Sequence, residues 1–546
     1  MSVFIGYPSF MAYQMMKGKK GNNDDFPSIP GITARYSASG LTNEQMAANP
    51  VWVDKTGNGH DLQLKNFAWK EGSGISDIYP GAIVFDGVDD YGICENFPIL
   101  TKEKGYTVVV LRQWITIPND NLFYGLMTNG NSRTDGAFIF EDFNRDSKSS
   151  FSFGGYTTVE SGTLSMPFTY QTSTSYNGKA INIGSLEKGV DIFYVGRMGS
   201  RSYYVNAAIW EICILDHDAT EEELQKIQDY YKQEYPWLFP DQVWTVTGKT
   251  NEDEDRATIA NITGNGNDLI LSNFGFAGNS GYGDYPISFP SSLSEGQPYG
   301  TLRFKTDGKY SNLIKTGVTD IRIKFNLRGM PEGGVLSIRG LDPTTALPIT
   351  EKSYTVDGLY EFVYNDSAKP VNIVFYNGTP LTGLFDFYVD IIPEYEGYLV
   401  TDGVDDAIHS SNFSMPDHWT VVGEWKMLKN SNTYELAGIN KYDSFILYNY
   451  SYNNRINVYI HSGQGTPINT DSIKAFTSTG LLYIDDFNVK EVTTADKIDL
   501  GHLLFIGYNN NVFTKLAFKN LAIYPTVLSK EDCIKAYNYL QTLKAK

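Results

Sequence analysis

Two short runs gather several carboxylates within one turn. Phe85 to Asp90 reads FDGVDD, and Thr401 to Asp406 reads TDGVDD. Asp86, Asp89 and Asp90, with Asp402, Asp405 and Asp406, have the chemistry of loops that supply oxygen ligands to calcium, a hard cation that takes several of them. A plainer reading fits the same residues: Asp86 and Asp402 hold the turn by accepting backbone N–H bonds, and their neighbours are solvated. We take the plainer reading, with calcium as the alternative and no other metal or cofactor expected. A third run, Tyr448-Asn449-Tyr450-Ser451-Tyr452 followed by Asn453 and Asn454, resembles a strand entering a hairpin turn. Tyr448, Tyr450 and Tyr452 would share one face, where rings stack on sugars and Asn453 bonds hydroxyls. That face equally suits a core or a subunit contact.

Other chemistry is missing from the sequence. Glycan hydrolysis on related scaffolds needs closely spaced carboxylates on one strand, as in E-x-D-x-E, and no run has that form. Asn251 to Asp255 is acidic but has the composition of a solvated loop, and Glu141, Asp142 and Asp146 fall in a turn. The six histidines are scattered, with no H-x-x-x-H pair for zinc. Phosphate-cradling loops and nucleophile elbows are absent. We therefore expect no catalytic residues and no enzyme activity.

The elements around these runs repeat. Thr56 to Phe67 reads TGNGHDLQLKNF and Thr263 to Phe274 reads TGNGNDLILSNF. FDGVDD follows the first copy closely and TDGVDD follows the second after a long interval, so one module is used twice with a foreign piece inside the second copy. Each copy ends in an apolar strand and a capped helix: Thr220 with Glu223 opens one, Ser529 with Asp532 the other. Leu224, Ile227, Tyr230 and Tyr231 form the buried stripe of the first helix; Cys533, Ala536, Tyr537 and Leu540 form that of the second. Short runs such as Ala82 to Phe85, Tyr106 to Leu111 and Ala208 to Leu215, each bounded by Gly, Asn, Asp or Ser, have the pattern of strands. The reading is all-β: an arm and linker at 1–30, module 1 at 31–240, module 2 at 241–284 and 397–546, and a small inserted β-sandwich at 285–396.

At 546 residues, with 41% hydrophobic residues, 38 Tyr and 31 Phe, the composition suits several strand-rich domains. A net charge of −19 argues against nucleic acid. The three cysteines, Cys94, Cys213 and Cys533, form no disulfide framework, and Cys213 and Cys533 lie in apolar runs as core residues would. The start is apolar in patches, including Phe4, Ile5, Phe10 and Met11, but lacks the charge order and cleavage site of a secretory leader. We read those four residues as a docking arm. No run reaches the length of a membrane span.

The order D-x-T-G-N-G-x-D-L-x-L, F-D-G-V-D-D-Y, apolar strand, late strand and capped helix resembles the concanavalin A-like, laminin-G-like jelly-roll family. The second copy departs at Asn261 and Ala407. The resemblance covers both modules but neither residues 1–30 nor the insert. It implies two tandem jelly-roll sandwiches, each closed by one C-terminal helix, that bind any ligand on a concave face or rim loops. Versions with this turn and helix are similar to gut Bacteroidetes surface proteins and to virion proteins of their phages, crAss-like phages included. A start without a leader or lipidation cysteine points to the phage version, a head or tail fibre or decoration protein assembled in host cytoplasm. Its partners would be other virion proteins, copies of itself (a trimer is usual for a fibre) and host surface polysaccharide. The alternative is a free or cell-surface carbohydrate-binding adhesin; a glycoside hydrolase comes last.

Overall fold

The computed structural model describes residues 25–545, apart from 117–123, 132–135, 145–146, 154–156, 161–166, 185, 306–310, 379–385, 412–415, 417 and further short stretches between 429 and 514. The described residues are almost entirely strand and turn, with four α-helices. None of these helices is long and apolar enough to cross a membrane. The chain divides into two compact units, one comprising residues up to Ile75 and Gly81–Pro236, the other Ser76–Pro80 and Trp237–Lys546. The division falls at Pro236 and Trp237 because Trp237 packs within the second unit. The Lys535 ammonium lies 4.0 Å from its ring centroid, and the Tyr524 hydroxyl donates to its carbonyl at 3.0 Å.

Unit 1 is a sandwich of two antiparallel sheets. The larger sheet runs Lys179–Ala180, Ser175–Tyr176, Phe168–Thr172, Thr107–Thr116, Asn206–Leu215, Ile83–Asp86, Gly74–Ile75, and Ile32–Ser37 also pairs with Asn206–Leu215. The smaller sheet runs Val51–Trp52, Leu62–Lys65, Tyr91–Cys94, Phe193–Val195, Met127–Thr128, Ile139–Phe140. Alternation along each strand sends one set of side chains inward. Val108, Val110, Ile212 and Ile214 of one sheet thus meet Leu62, Leu64, Cys94, Phe193 and Val195 of the other in a single buried cluster. A separate three-stranded sheet, Asp142–Asn144, Ser147–Phe153 and Thr157–Glu160, belongs to this unit as well.

Unit 2 repeats that strand order element for element. Its larger sheet runs Asn488–Glu491, Leu481–Ile484, Ile473–Thr477, Thr420–Met427, Leu516–Tyr524, Leu399–Val400, Gly281–Tyr282, with Gln242–Thr245 paired to Leu516–Tyr524. Its smaller sheet runs Thr258–Ile259, Leu269–Ser272, Ala407–Ser411, Leu503–Ile506, Tyr434–Ile439, Ile446–Asn449. Strand registers match too: Lys65 faces Tyr91 as Ser272 faces Ala407. Between Gly281–Tyr282 and Leu399–Val400 the chain builds two four-stranded sheets around their own core of Phe304, Ile323, Phe325, Ile338, Ile373, Phe375 and Phe387. Two of these eight strands, Ser311–Val318 and Pro348–Tyr354, are exposed on both faces along much of their length, which erases the period-two signal that marks a strand in sequence.

The closing helices are Glu221–Glu234 and Lys530–Gln541. Thr220 caps the first in a reciprocal box with Glu223, burying Ile227 and Tyr231 beneath it. Ser529 accepts from the Asp532 N–H at the start of the second. There the buried aromatic is Tyr539; Tyr537, expected in the stripe, is half-buried and donates to Glu424 at 2.9 Å. Thr220→Ala should lower the stability of unit 1 by about 1 kcal/mol in a denaturant titration, since it orphans helix N–H groups. Phe26 and Ile29, placed in the linker by sequence, are packed: Phe26 lies 4.0 Å under the Arg35 guanidinium and 4.9 Å from the Tyr230 ring.

Candidate functional site

The carboxylates of the two acidic hairpins are close enough to share a cation, within 4.8 Å in each group. Their hydrogen bonds give them another job. Asp86 Oδ1 accepts from the Val88 N–H at 2.7 Å and the Asp89 N–H at 3.3 Å; Asp402 Oδ1 accepts from Val404 and Asp405 at the same two distances. Asp90 and Asp406 are buried and point back into the turn, accepting from the Asp86 and Asp402 N–H groups at 3.1 and 2.7 Å. Ser280 adds a hydroxyl bond to Asp406 at 2.9 Å. Burial pushes both carboxyls up to about 7, against the hydrogen bonds that favour their charge. Asp89 and Asp405 are the solvated neighbours.

The other repeated run is held by hydrogen bonds of the same kind. Asp54 Oδ1 accepts from the Arg35 and Thr56 N–H groups, both at 3.0 Å, tying the TGNG turn to the strand Ile32–Ser37. Asn261 takes the place of Asp54 and accepts from the Val243 N–H at 3.0 Å. Asn66 and Asn273, both at positive φ, each donate at 3.0 Å to a carbonyl of the acidic hairpin, Asp89 or Asp405. This cross-link explains why the two runs occur together in each module.

The tyrosine run places Tyr448 on Ile446–Asn449, an edge strand of the smaller sheet of unit 2. Tyr450, Tyr452 and Asn453 lie outside the described residues, as do Phe4, Ile5, Phe10 and Met11.

A cluster that sequence reading missed sits on the smaller sheet of unit 1. Gln63, Lys65, Tyr91, Ile93 and Tyr194 point away from the core that Leu62, Leu64, Cys94 and Phe193 fill. Over this outer face lies the Arg197 guanidinium, 4.4 Å from the Tyr91 ring centroid, 4.9 Å from Tyr194 and 5.8 Å from Tyr204. The Tyr91 and Tyr204 rings are 6.2 Å apart and tilted by 42°. Arg197 Nε donates to the Gly199 carbonyl at 2.7 Å, which fixes the side chain against the rings and leaves its two terminal amino groups uncommitted by this bond. Arg197, Tyr91 and Tyr204 are half-buried and Tyr194 is buried, with Gln63 and Lys65 exposed beside them. Burial raises the Tyr194 phenol while Arg197 opposes that rise.

The turn before Arg197 depends on Gly196. Its φ is +82°, and a Cβ there would meet the Phe85 ring at 2.3 Å. The chain then doubles back so that Arg197 and Tyr204 bridge. The cluster draws residues from three separate segments, so no spacing rule in the sequence reveals it. A usable signal was the comparison of the two copies. At the positions of Tyr91, Arg197, Lys65 and Ile93, unit 2 has Ala407, Tyr508, Ser272 and His409. His409 hydrogen-bonds with Ser272 at 3.1 Å instead.

The larger sheet of unit 1 holds a second polar group, within the sandwich. Arg112 and Glu141 are fully buried; Arg112 Nε donates to Glu141 Oε2 at 2.8 Å, Trp114 Nε1 donates to the same oxygen at 2.8 Å, and the Tyr176 hydroxyl donates to Oε1 at 2.6 Å. Burial opposes the Arg112 charge, but the Glu141 carboxylate outweighs it and raises the Arg112 pKa. With no exposed atom, the pair is closed to a ligand. By register, Trp425 stands in the place of Arg112 in unit 2 and is part of that core.

The sequence matches no protein-family profile and no curated protein. Solved structures with partial likeness include a Trypanosoma rangeli sialidase in complex with sialic acid, at 10% identity and a TM-score of 0.21 over 34% of this chain and 43% of that one. A truncated AlyQ with CBM32 and alginate lyase domains matches at 10% identity and 0.19, over 47% and 96%. The receptor-binding domain of botulinum neurotoxin mosaic serotype C/D matches at 9% identity and 0.26, over 67% and 97%. The chain spans less than half the length of the sialidase. All three are β-rich, and scores this low carry no statement about activity or ligand.

Proposed function

We propose that this chain is a non-enzymatic glycan-binding protein of two tandem concanavalin A-like jelly rolls, the second split by the insert at 285–396. Its ligand surface in this reading is the outer face of the smaller sheet of unit 1. One observation carries the proposal: the half-buried Tyr91 and Tyr204 and the buried Tyr194 gather around Arg197 on the outer sheet face, while the same face of unit 2 lacks Tyr91 and Arg197. The fold therefore does not require the cluster. Rings of this kind stack on the apolar faces of sugars, and the exposed Gln63 and Lys65 supply polar contacts at the edge.

A glycan array probed with the purified chain and with Tyr91→Ala tests this. Binding should weaken at least about tenfold in the variant, in line with the loss of one stacking contact, with the thermal midpoint changed little. Equal binding by both proteins would refute it. Release of reducing sugar from any bound glycan would overturn the non-enzymatic part.

The sequence resemblance supports a setting for this activity, that of a virion fibre or decoration protein docked by its apolar start. The full chain should then co-purify with phage particles, and deleting residues 1–24 should abolish that without changing glycan binding. A chain absent from purified particles would leave the free or cell-surface adhesin as the setting.

A further inference from the structure

We infer that the sugar taken on this face is an acidic one, whose carboxylate pairs with Arg197; this rests on the glycan reading above. The inference comes from how Arg197 is held. Arg35, Arg112, Arg303, Arg322, Arg328 and Arg339 each face a carboxylate, respectively Glu211, Glu141, Asp386, Glu361, Asp390 and Glu351. In a chain of net charge −19, acidic partners are plentiful. Arg197 has none among the described residues, and neither do Arg201 and Arg256; what sets Arg197 apart is that three tyrosine rings and one carbonyl hold it.

That arrangement fixes a guanidinium without neutralising it. Nε is committed to Gly199, so the edge formed by the two terminal amino groups is free to meet a carboxylate with two parallel N–H···O bonds. The rings beneath the guanidinium limit its rotation and partly exclude water, which strengthens an ionic hydrogen bond. Lys65, exposed and directly across the strand pair from Tyr91, adds a second cation on the same face. A sugar ring stacked on Tyr91 or Tyr204 would carry its acid group toward Arg197. In unit 2 both cations are lost together, Arg197 to Tyr508 and Lys65 to Ser272, as a shared electrostatic task would require.

The test titrates the full chain with two matched pairs of probes, a uronic acid oligosaccharide and a sialylated one, each beside its own methyl ester. The esters keep the sugar and remove only the charge. At least one acid should bind more than tenfold tighter than its ester, and its advantage should shrink on raising the salt concentration. Arg197→Gln should bring acid and ester to similar affinity, while Arg197→Lys recovers only part of the preference because it lacks the planar fork. Acid and ester binding equally in the parent protein would overturn this inference and leave the glycan reading standing. Acid-selective binding that survives Arg197→Gln would also overturn it. Failure of every acid and ester to bind would overturn it together with the glycan reading at this face.

Discussion

Glu141→Gln is expected to destabilise unit 1 by about 3–5 kcal/mol, enough to unfold a marginal domain, although the substitution changes the side chain's volume very little. The reason is electrostatic. Arg112 has no exposed surface and cannot shed its proton, so losing the carboxylate leaves a buried, uncompensated guanidinium. Trp114 and Tyr176 would also face a neutral amide in place of the ionised acceptor at 2.8 and 2.6 Å. Removing both charges should cost far less. In the double variant Arg112→Met/Glu141→Leu, most of the lost stability should return, as unit 2 already indicates by filling the Arg112 position with Trp425. Chemical denaturation of the two variants and the parent checks this. A double variant as unstable as the single one would mean that the pair is needed for packing and not merely for mutual neutralisation.

Stability should also fall as pH rises from about 4 to about 7, through Asp90 and Asp406. Both carboxyls are pushed up to about 7 by burial, above the ~3.9 of an unfolded aspartate. Across that window the folded chain holds protons that the unfolded chain has released, so each group contributes most at the acidic end and loses its contribution as pH climbs through the folded value. At ~1.4 kcal/mol per pKa unit the effect reaches at most about 4 kcal/mol per carboxyl. Asp90→Asn and Asp406→Asn keep an oxygen to accept the Asp86 and Asp402 N–H bonds but remove the titration. Their thermal midpoints should therefore vary less between pH 5 and pH 8 than those of the parent. Parallel profiles would place the pH dependence elsewhere.

The large features of the fold were open to a sequence reading because they are local and repeated. The runs TGNGHDLQLKNF and FDGVDD form turns closed by local hydrogen bonds such as those of Thr56 to Asp54 and of Val88 to Asp86, so composition signals the turns even though some of their bonds reach further. The helix caps at Thr220 and Ser529 are local in the same way. What sequence alone left dark depends on distant segments. Arg112 meets Glu141 only because the sandwich brings strand and turn together. Arg197 reaches Tyr91 because Phe193–Val195 and Tyr91–Cys94 are brought side by side by a long-range strand pairing. Tyr450, Tyr452 and Asn453 attracted attention because tyrosines alternate there, a local pattern, whereas the cluster around Arg197 has no local pattern to find.

The most direct test of the account exchanges residues between the two modules. Tyr91→Ala/Arg197→Tyr gives the face of unit 1 the residues of unit 2 at both positions, with little change expected in the core. Isothermal titration with an acidic oligosaccharide selected from the array should show binding to the parent and none to this variant, at matched thermal stability. Undiminished binding by the variant would place the glycan site elsewhere and contradict the central claim.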